Sequence, residues 1–201
     1  MHAASPIDAG TEFIDSGYKE LTIPADADGS FQLEPHALHI WPRGHYMMIA
    51  LPNGDGSFTC TCFWPIEGRD SFSSVDSPES IRSFFSSHFP DAAALMPDLV
   101  EEYTDNPVGP LGTVRCNCYH HEGTAVLIGD AAHAIVPFFG QGMNAAFQDC
   151  LRLASCLAAH DDLPAALRDY DCTQRPDGDA IGSLSLSNFI EMRNKTASPL
   201  F

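Results

Sequence analysis

Cations are scarce in this chain: 10 Lys and Arg stand against 27 Asp and Glu over 201 residues, a formal net charge of −17. A surface this acidic repels a phosphate backbone, which excludes nucleic acid as a partner and favours a protein that stays in solution. No apolar run approaches the eighteen or so residues that span a bilayer, and the amino end lacks the basic-then-apolar pattern of a secretory signal. The chain therefore reads as soluble and cytoplasmic, with no membrane segment of its own. Internal repeats, low-complexity tracts and any obvious nucleophile–base–acid triad are also missing. The length is enough for one well-buried domain or two small lobes.

The 7 cysteines are an odd number and fall mostly within apolar strand or helix patterns, so reduced core thiols are the expectation. Cys60 and Cys62 lie two apart in a predicted strand, as do Cys116 and Cys118, so each pair shares a face. With His120 and His121 close behind, a zinc site can be drawn. Common structural zinc sites, however, put two to four residues between paired cysteines, and no confirming ligand spacing follows. Core filling is the reading preferred, with no metal.

Two regions separate along the chain. Residues 18–23, 31–33, 38–41, 46–51 and 58–64 read as strands, with the Asn53, Gly54, Asp55, Gly56 run as a hairpin signal. Ser77 and Pro78 announce a helix with Ile81, Phe84, Phe85 and His88 on one side, and residues 91–96 add a short second one. Residues 112–119 read as a strand. Helices are predicted for 141–159 and from 163 onward, with Pro176 interrupting the second. Arg43 and His45 follow a Trp-Pro turn and are placed to brace the sheet against the second region.

The most informative stretch is 124–144. Residues 124–128 read as a strand buried on both faces, Gly129 allows a sharp turn, and Asp130 is a buried-looking acid just past the strand's carboxyl end, where open α/β sheets bind ligands. Pro137 stiffens the loop that follows. Gly140 and Gly142 leave backbone N–H groups open, and a helix begins with Met143, Ala146, Phe147, Cys150, Leu151 and Ala154 as its apolar stripe. The amino end of that helix favours electron-rich or anionic atoms.

This stretch resembles the second flavin-contacting motif of the FAD-dependent aromatic hydroxylases, and within that family the kynurenine-hydroxylating branch. The likeness extends to 38–44 (LHIWPRG), 47–52 (MMIALP), 55–60 (DGSFTC) and 188–193 (NFIEMR), and covers roughly 11–194. It implies an α+β fold: an antiparallel or mixed substrate-domain sheet with helices (11–111), then the last strand and helices of a Rossmann-like FAD lobe (112–162), then a helical segment (163–201). Together these would be part of a p-hydroxybenzoate-hydroxylase-like fold.

The implied activity is FAD- and NADPH-dependent ring hydroxylation of L-kynurenine or a similar aromatic amino acid, ortho to the amino group. The family pattern implies that Gly129 and Asp130 hold the ribityl chain, and that Met143 and Asn144, with Gly140, Gly142 and Pro137, meet the flavin ring. Phe138 and Phe139 would line the space between flavin and substrate, and Asn188 would bind the substrate's amino-acid group. His133 is expected to fix the turn by hydrogen bonding, and no side chain is expected to be catalytic. The family's Gly-x-Gly-x-x-Gly turn, its central Asp-Gly motif, the upstream Arg and Tyr that hold the substrate carboxylate, and the hydrophobic tail of its membrane-bound members do not occur here. The reading is therefore a central-to-late piece of such an enzyme, inactive alone. A stand-alone binding or regulatory remnant without flavin, or another aromatic hydroxylase of the family, are the alternatives.

Overall fold

A computed structural model describes residues 7–194, with side chains to 192. It holds two compact units: among described residues, 7–13 with 112–190, and 14–111 with 191–194. Strand β1 (Ala9–Ile23) and strand β5 (Gly109–Cys116) each contribute to both.

The larger sheet has the order β2-β3-β4-β1-β5, with β2 (His39–Pro42), β3 (Met47–Pro52) and β4 (Phe58–Pro65) as an antiparallel meander. Its register follows from the turn at Asn53, whose N–H donates to the Ser57 carbonyl at 2.8 Å. Gly56 in that turn has φ +89°, and a Cβ there would come within 2.6 Å of the Gly29 carbonyl, so only glycine fits. Residues alternate faces along β4. Phe58, Cys60, Cys62 and Trp64 therefore all point inward, and Cys60 is paired with Leu21 on one side and Ala50 on the other. Burial raises the Cys60 thiol to about 12 and holds the Cys62 thiol well above its ordinary value, so both are neutral core filling.

Helix α1 (Pro78–His88) covers this face with Ile81, Phe84 and Phe85. It starts where predicted because Ser77 and Ser80 form a reciprocal capping box and Pro78 needs no N–H partner. Two short helices follow, α2 (Pro90–Ala93) and α3 (Leu99–Asp105), the latter not anticipated. Lys19 explains its placement: the buried ammonium donates to the carbonyls of Tyr103 and Asn106 and sits 4.7 Å over the Tyr103 ring. Burial pulls its pKa down, but a cation at the carboxyl end of a helix also meets a favourable dipole.

Three expectations change here. Residues 31–33 are not a strand; the 26–30 turn delivers Phe31 edge-on to Phe58, at 5.6 Å between centroids. Arg43 braces its own unit: its Nε donates to the His88 carbonyl at 2.7 Å, satisfying the end of α1, and its guanidinium lies 5.1 Å from the centre of the Phe89 ring. Pro176 does not interrupt its helix, since α6 runs from Leu163 to Asn194. Pro176 and Cys172 are both exposed, so water can satisfy the Cys172 carbonyl that the missing N–H leaves free.

In the other unit, β6 (His120–His121) and β7 (Ala125–Val126) form a two-residue hairpin ladder. Helix α4 (Asp130–His133), α5 (Gly142–Ala159) and α6 follow. Tyr119, Tyr170, Ala132, Cys116, Cys156 and Ala166 are its buried centre. Arg115 ties β5 to α6, donating to the carbonyl and carboxylate of Asp179 at 3.1 Å each. Among the described residues no helix is long and apolar enough to cross a membrane.

Candidate functional site

The 124–144 stretch does not form the strand expected of it. Only Ala125 and Val126 are in a ladder, paired antiparallel with His121 and His120; Thr124 and Ala125 are exposed and Ile128 is 40% exposed. Burial on both faces needs a sheet with a layer packed on each side, and among the described residues β7 belongs only to a two-stranded ladder with β6.

The turn itself is sharply defined. Gly129 has φ +59° and ψ −144°, a conformation closed to side-chain-bearing residues, and a Cβ there would meet the Ala146 Cβ at 3.2 Å. Close approach of turn and helix thus demands glycine on one side and alanine on the other.

Asp130 is exposed rather than buried. The buried acid of this site is Asp149 on α5, fully inaccessible, which sequence reasoning did not single out. Its Oδ2 accepts from the Gly129 N–H at 2.6 Å and from His133 Nε2 at 2.7 Å, and its Oδ1 accepts from Gln174 Nε2 at 2.7 Å. One carboxylate therefore ties the turn, α4, α5 and α6 together. Desolvation pulls the His133 imidazole down, but the hydrogen bond and charge of Asp149 outweigh it, and His133 titrates above its ordinary value. His133 is 4% exposed and does fix the turn by hydrogen bonding.

With Asp149 holding the Gly129 N–H inward, the Asp130 side chain projects to solvent at the first position of α4. Among the described residues its carboxylate receives no hydrogen bond, which leaves it able to accept from a ligand's hydroxyls.

The loop to α5 passes through a turn at Pro137–Phe139 and Gly140 at φ +62°. Gln141, which caps α5, makes no side-chain hydrogen bond to the helix end, so the first-turn N–H groups of Gly142, Met143 and Asn144 stay open. A Cβ on Gly140 would meet nothing within 4 Å, so the backbone here is approachable. The Asn144 side chain is engaged with Gln141 Oε1 at 2.9 Å, leaving its backbone as the contact it offers.

Phe138 and Phe139 part company. Phe138 is buried and stacks on Phe189 at 4.0 Å, with its carbonyl accepting from Asn188 Nδ2, while Phe139 is 44% exposed. Asn188 is thus brought to the loop, half-buried, and only Phe139 presents an open ring.

On α5 Asp149 and Cys156 are buried, with Ala145, Ala146 and Leu153 half-buried beside them; of the predicted stripe Ala146 lies on this inner face, while Met143, Phe147 and Leu151 are 69%, 61% and 72% exposed. The face carrying Met143, Phe147 and Leu151 is therefore apolar and open. A cleft of about 660 Å³, lined by Arg82, Met96 and Glu101, lies in the other unit and touches none of these residues.

Comparisons with known proteins match most of the chain. The family described as FAD binding domain matches residues 38–175. Kynurenine 3-monooxygenase of Flavobacterium psychrophilum is 48% identical over all of this chain and 45% of its own length. The Myxococcus xanthus enzyme of that name is 50% identical over 94% of this chain and 41% of its own, and that of Dictyostelium discoideum 46% over 96% and 45%. The chain spans less than half the length of these curated relatives.

Among solved structures, 2-methyl-3-hydroxypyridine-5-carboxylic acid oxygenase superposes with a TM-score of 0.71 at 19% identity, covering 96% of this chain and 52% of that one. PqsL of Pseudomonas aeruginosa, described as a probable FAD-dependent monooxygenase, gives 0.69 at 22%, covering 94% and 52%. At these identities the likeness is one of fold.

Proposed function

The chain belongs to the FAD binding domain family, and from that premise we propose that residues 129–144 seat the ribityl chain and ring of FAD in an NADPH-dependent hydroxylase acting on L-kynurenine. The observation that carries the proposal is the Gly129–Asp130 turn, locked by Asp149 so that an unengaged carboxylate and the open first turn of α5 are both available. These groups fit the cofactor. A hydroxylated chain needs an anionic acceptor, and the electron-rich edge of a flavin ring needs N–H donors at a helix amino end.

In this reading Asp130 accepts hydrogen bonds from the ribityl hydroxyls. The Gly142, Met143 and Asn144 N–H groups orient the ring, with Gly140 and Pro137 shaping the approach. Phe139 walls the substrate side against water, with Phe138 behind it, and Asn188, seated by its hydrogen bond to the Phe138 carbonyl, is read as the contact for the substrate's amino-acid group. FAD, when bound and reduced by NADPH, supplies the oxygen chemistry; the chain needs no nucleophile of its own.

The sheet and helices of 11–111 are read as the substrate domain, 112–162 as the carboxyl part of a Rossmann-like FAD lobe and 163–194 as a helical extension. That arrangement is part of a p-hydroxybenzoate-hydroxylase-like fold. The uncovered Met143, Phe147, Leu151 stripe then packs on the remainder of that lobe. The name shared by relatives at 46–50% identity supports kynurenine as the substrate.

The test is a chimera in which this chain replaces the matching stretch of the Flavobacterium psychrophilum enzyme. Kynurenine should stimulate its NADPH oxidation and yield 3-hydroxykynurenine. Asn188→Ala should raise the KM for kynurenine. A folded, flavin-loaded chimera indifferent to kynurenine would remove the substrate assignment.

A further inference from the structure

Outside the flavin segment, one cluster of side chains is unexplained by anything above. Cys118, His120 and Asp171 bring one thiol sulfur, one imidazole nitrogen and one carboxylate oxygen within 4.8 Å of one another. Cys116 is core filling, as its place in an apolar strand implies: it is buried in the unit's centre and burial raises its thiol. Cys118 is different. It is half-buried, lies just past the end of β5, and its sulfur meets only the carbonyl of His120, two residues on, at 3.1 Å. The third group comes from α6, more than fifty residues away in sequence, so no local spacing could have revealed it.

We propose that Cys118, His120 and Asp171 form a binding site for a divalent transition-metal ion of the zinc class. The donor set is a thiolate, an imidazole and a carboxylate, which zinc accepts and which the hard ions Mg²⁺ and Ca²⁺ do not favour. Bond lengths of about 2.0–2.3 Å in a tetrahedral site put ligand atoms about 3.5 Å apart, so side-chain rotations of about 1 Å complete the geometry.

Two independent features favour the site. Nδ1 of His120 is buried and meets no hydrogen-bond partner, a costly state for an imidazole nitrogen that a metal ion on the ring or a bridging water would relieve. Asp171 is already oriented, because its Oδ1 accepts the Tyr119 N–H at 2.7 Å, the kind of outer-shell contact that fixes a ligating carboxylate. Arg175 Nε stands 3.7 Å from that oxygen, too far to occupy it as a hydrogen-bond donor. Binding transfers the Cys118 thiol proton to solvent, leaves the imidazole neutral and joins the 118–120 segment to α6. A fourth position remains for water. Because the ion would bind the folded chain and not the open one, it would also stabilise the unit.

The experiment uses the full 201-residue chain, stripped of metal and kept reduced, titrated with Co²⁺ and then Zn²⁺. One equivalent of cobalt should produce a sulfur-to-cobalt charge-transfer band and visible ligand-field bands, both abolished by zinc. Zn²⁺ but not Mg²⁺ should raise the midpoint of thermal unfolding. Cys118→Ser should abolish the charge-transfer band. Asp171→Asn, which keeps an oxygen to accept the Tyr119 N–H and so spares the fold, should weaken binding by more than the roughly 10–100-fold typical of losing an outer-shell partner. His121→Ala and Cys150→Ser, both exposed, should change nothing. Absence of a thiolate–cobalt band, its survival in Cys118→Ser, or unchanged affinity in Asp171→Asn would each overturn the proposal. Should Cys118→Ser fail to fold by circular dichroism, Asp171→Asn decides.

Discussion

Replacing Asp149 by asparagine and by alanine should give two different losses, and the difference is set by what the carboxylate holds. In Asp149→Ala three buried donors lose their acceptor: the Gly129 N–H, His133 Nε2 and Gln174 Nε2. At roughly 1–3 kcal/mol for each stranded buried group the cost is about 3 kcal/mol or more, a large share of a typical domain's stability. In Asp149→Asn the side-chain oxygen can still serve Gly129 and His133. The new amide would face Gln174, whose Oε1 is buried and unpartnered and can turn to accept it. What disappears is the charge, worth about 1–2 kcal/mol.

The two variants also differ from the parent in pH response. Because Asp149 raises His133 above 6.5 in the folded state, the folded chain holds that proton more tightly than the unfolded chain does. The resulting stability is complete below about pH 6.5 and is lost as pH rises through the raised value. Denaturant unfolding at pH 6 and pH 8.5, followed by far-UV circular dichroism, should show this decline in the parent and its disappearance in Asp149→Asn. Equal stability of parent and Asp149→Asn at pH 6, or no difference between Asn and Ala, would refute the role given to the carboxylate.

Other substitutions separate seating of the cofactor from support of the fold. Asp130→Ala should leave unfolding within about 0.5 kcal/mol of the parent, since its side chain is exposed, yet weaken FAD binding in a flavin-loaded protein by about 1.5–3 kcal/mol; flavin fluorescence titration measures it. Gly129→Ala forces a side chain into a glycine-only backbone conformation against Ala146 and should cost about 1–3 kcal/mol in thermal unfolding. Pro176→Ala should stabilise α6, by up to about 3 kcal/mol, by restoring a helix hydrogen bond at an exposed position. Ser77→Ala should remove the capping box of α1 and cost about 1 kcal/mol.

What was legible in the sequence is what local chemistry decides. Asn53 to Gly56 specify a turn, alternation in β4 specifies its buried face, and Ser77 with Pro78 specifies a helix start; each appears where expected. What was not legible depends on distant partners. An aspartate in a helix ordinarily faces water, so Asp149 gave no signal until the Gly129 N–H, His133 and Gln174 were seen around it. The signal available was helical spacing: Ala145, Ala146, Asp149, Leu153 and Cys156 share a face of small residues on which a close-packed turn can rest. Met143, Phe147 and Leu151 looked like the core stripe because they are larger, and nothing local says which apolar face meets which neighbour. Asp130 is exposed for the same reason: a Gly-Asp pair after an apolar run is buried only where the run is a covered strand, and here the run is one arm of a two-residue hairpin ladder. Pro176 leaves its helix unbroken because buried side chains on both sides of it, Tyr170 and Gln174 before and Ser185 and Phe189 after, hold α6 in place, so the local penalty is borne rather than relieved by a break.

Cofactor retention tests the central claim most directly. Purified from a chimera carrying this chain in place of its counterpart in the Flavobacterium psychrophilum enzyme, the protein should be yellow with one FAD per chain, and Asp130→Ala should strip the flavin while leaving the fold intact by circular dichroism. A folded chimera that holds no flavin, or an Asp130→Ala variant that retains it as tightly as the parent, would contradict the assignment of residues 129–144 as the flavin seat.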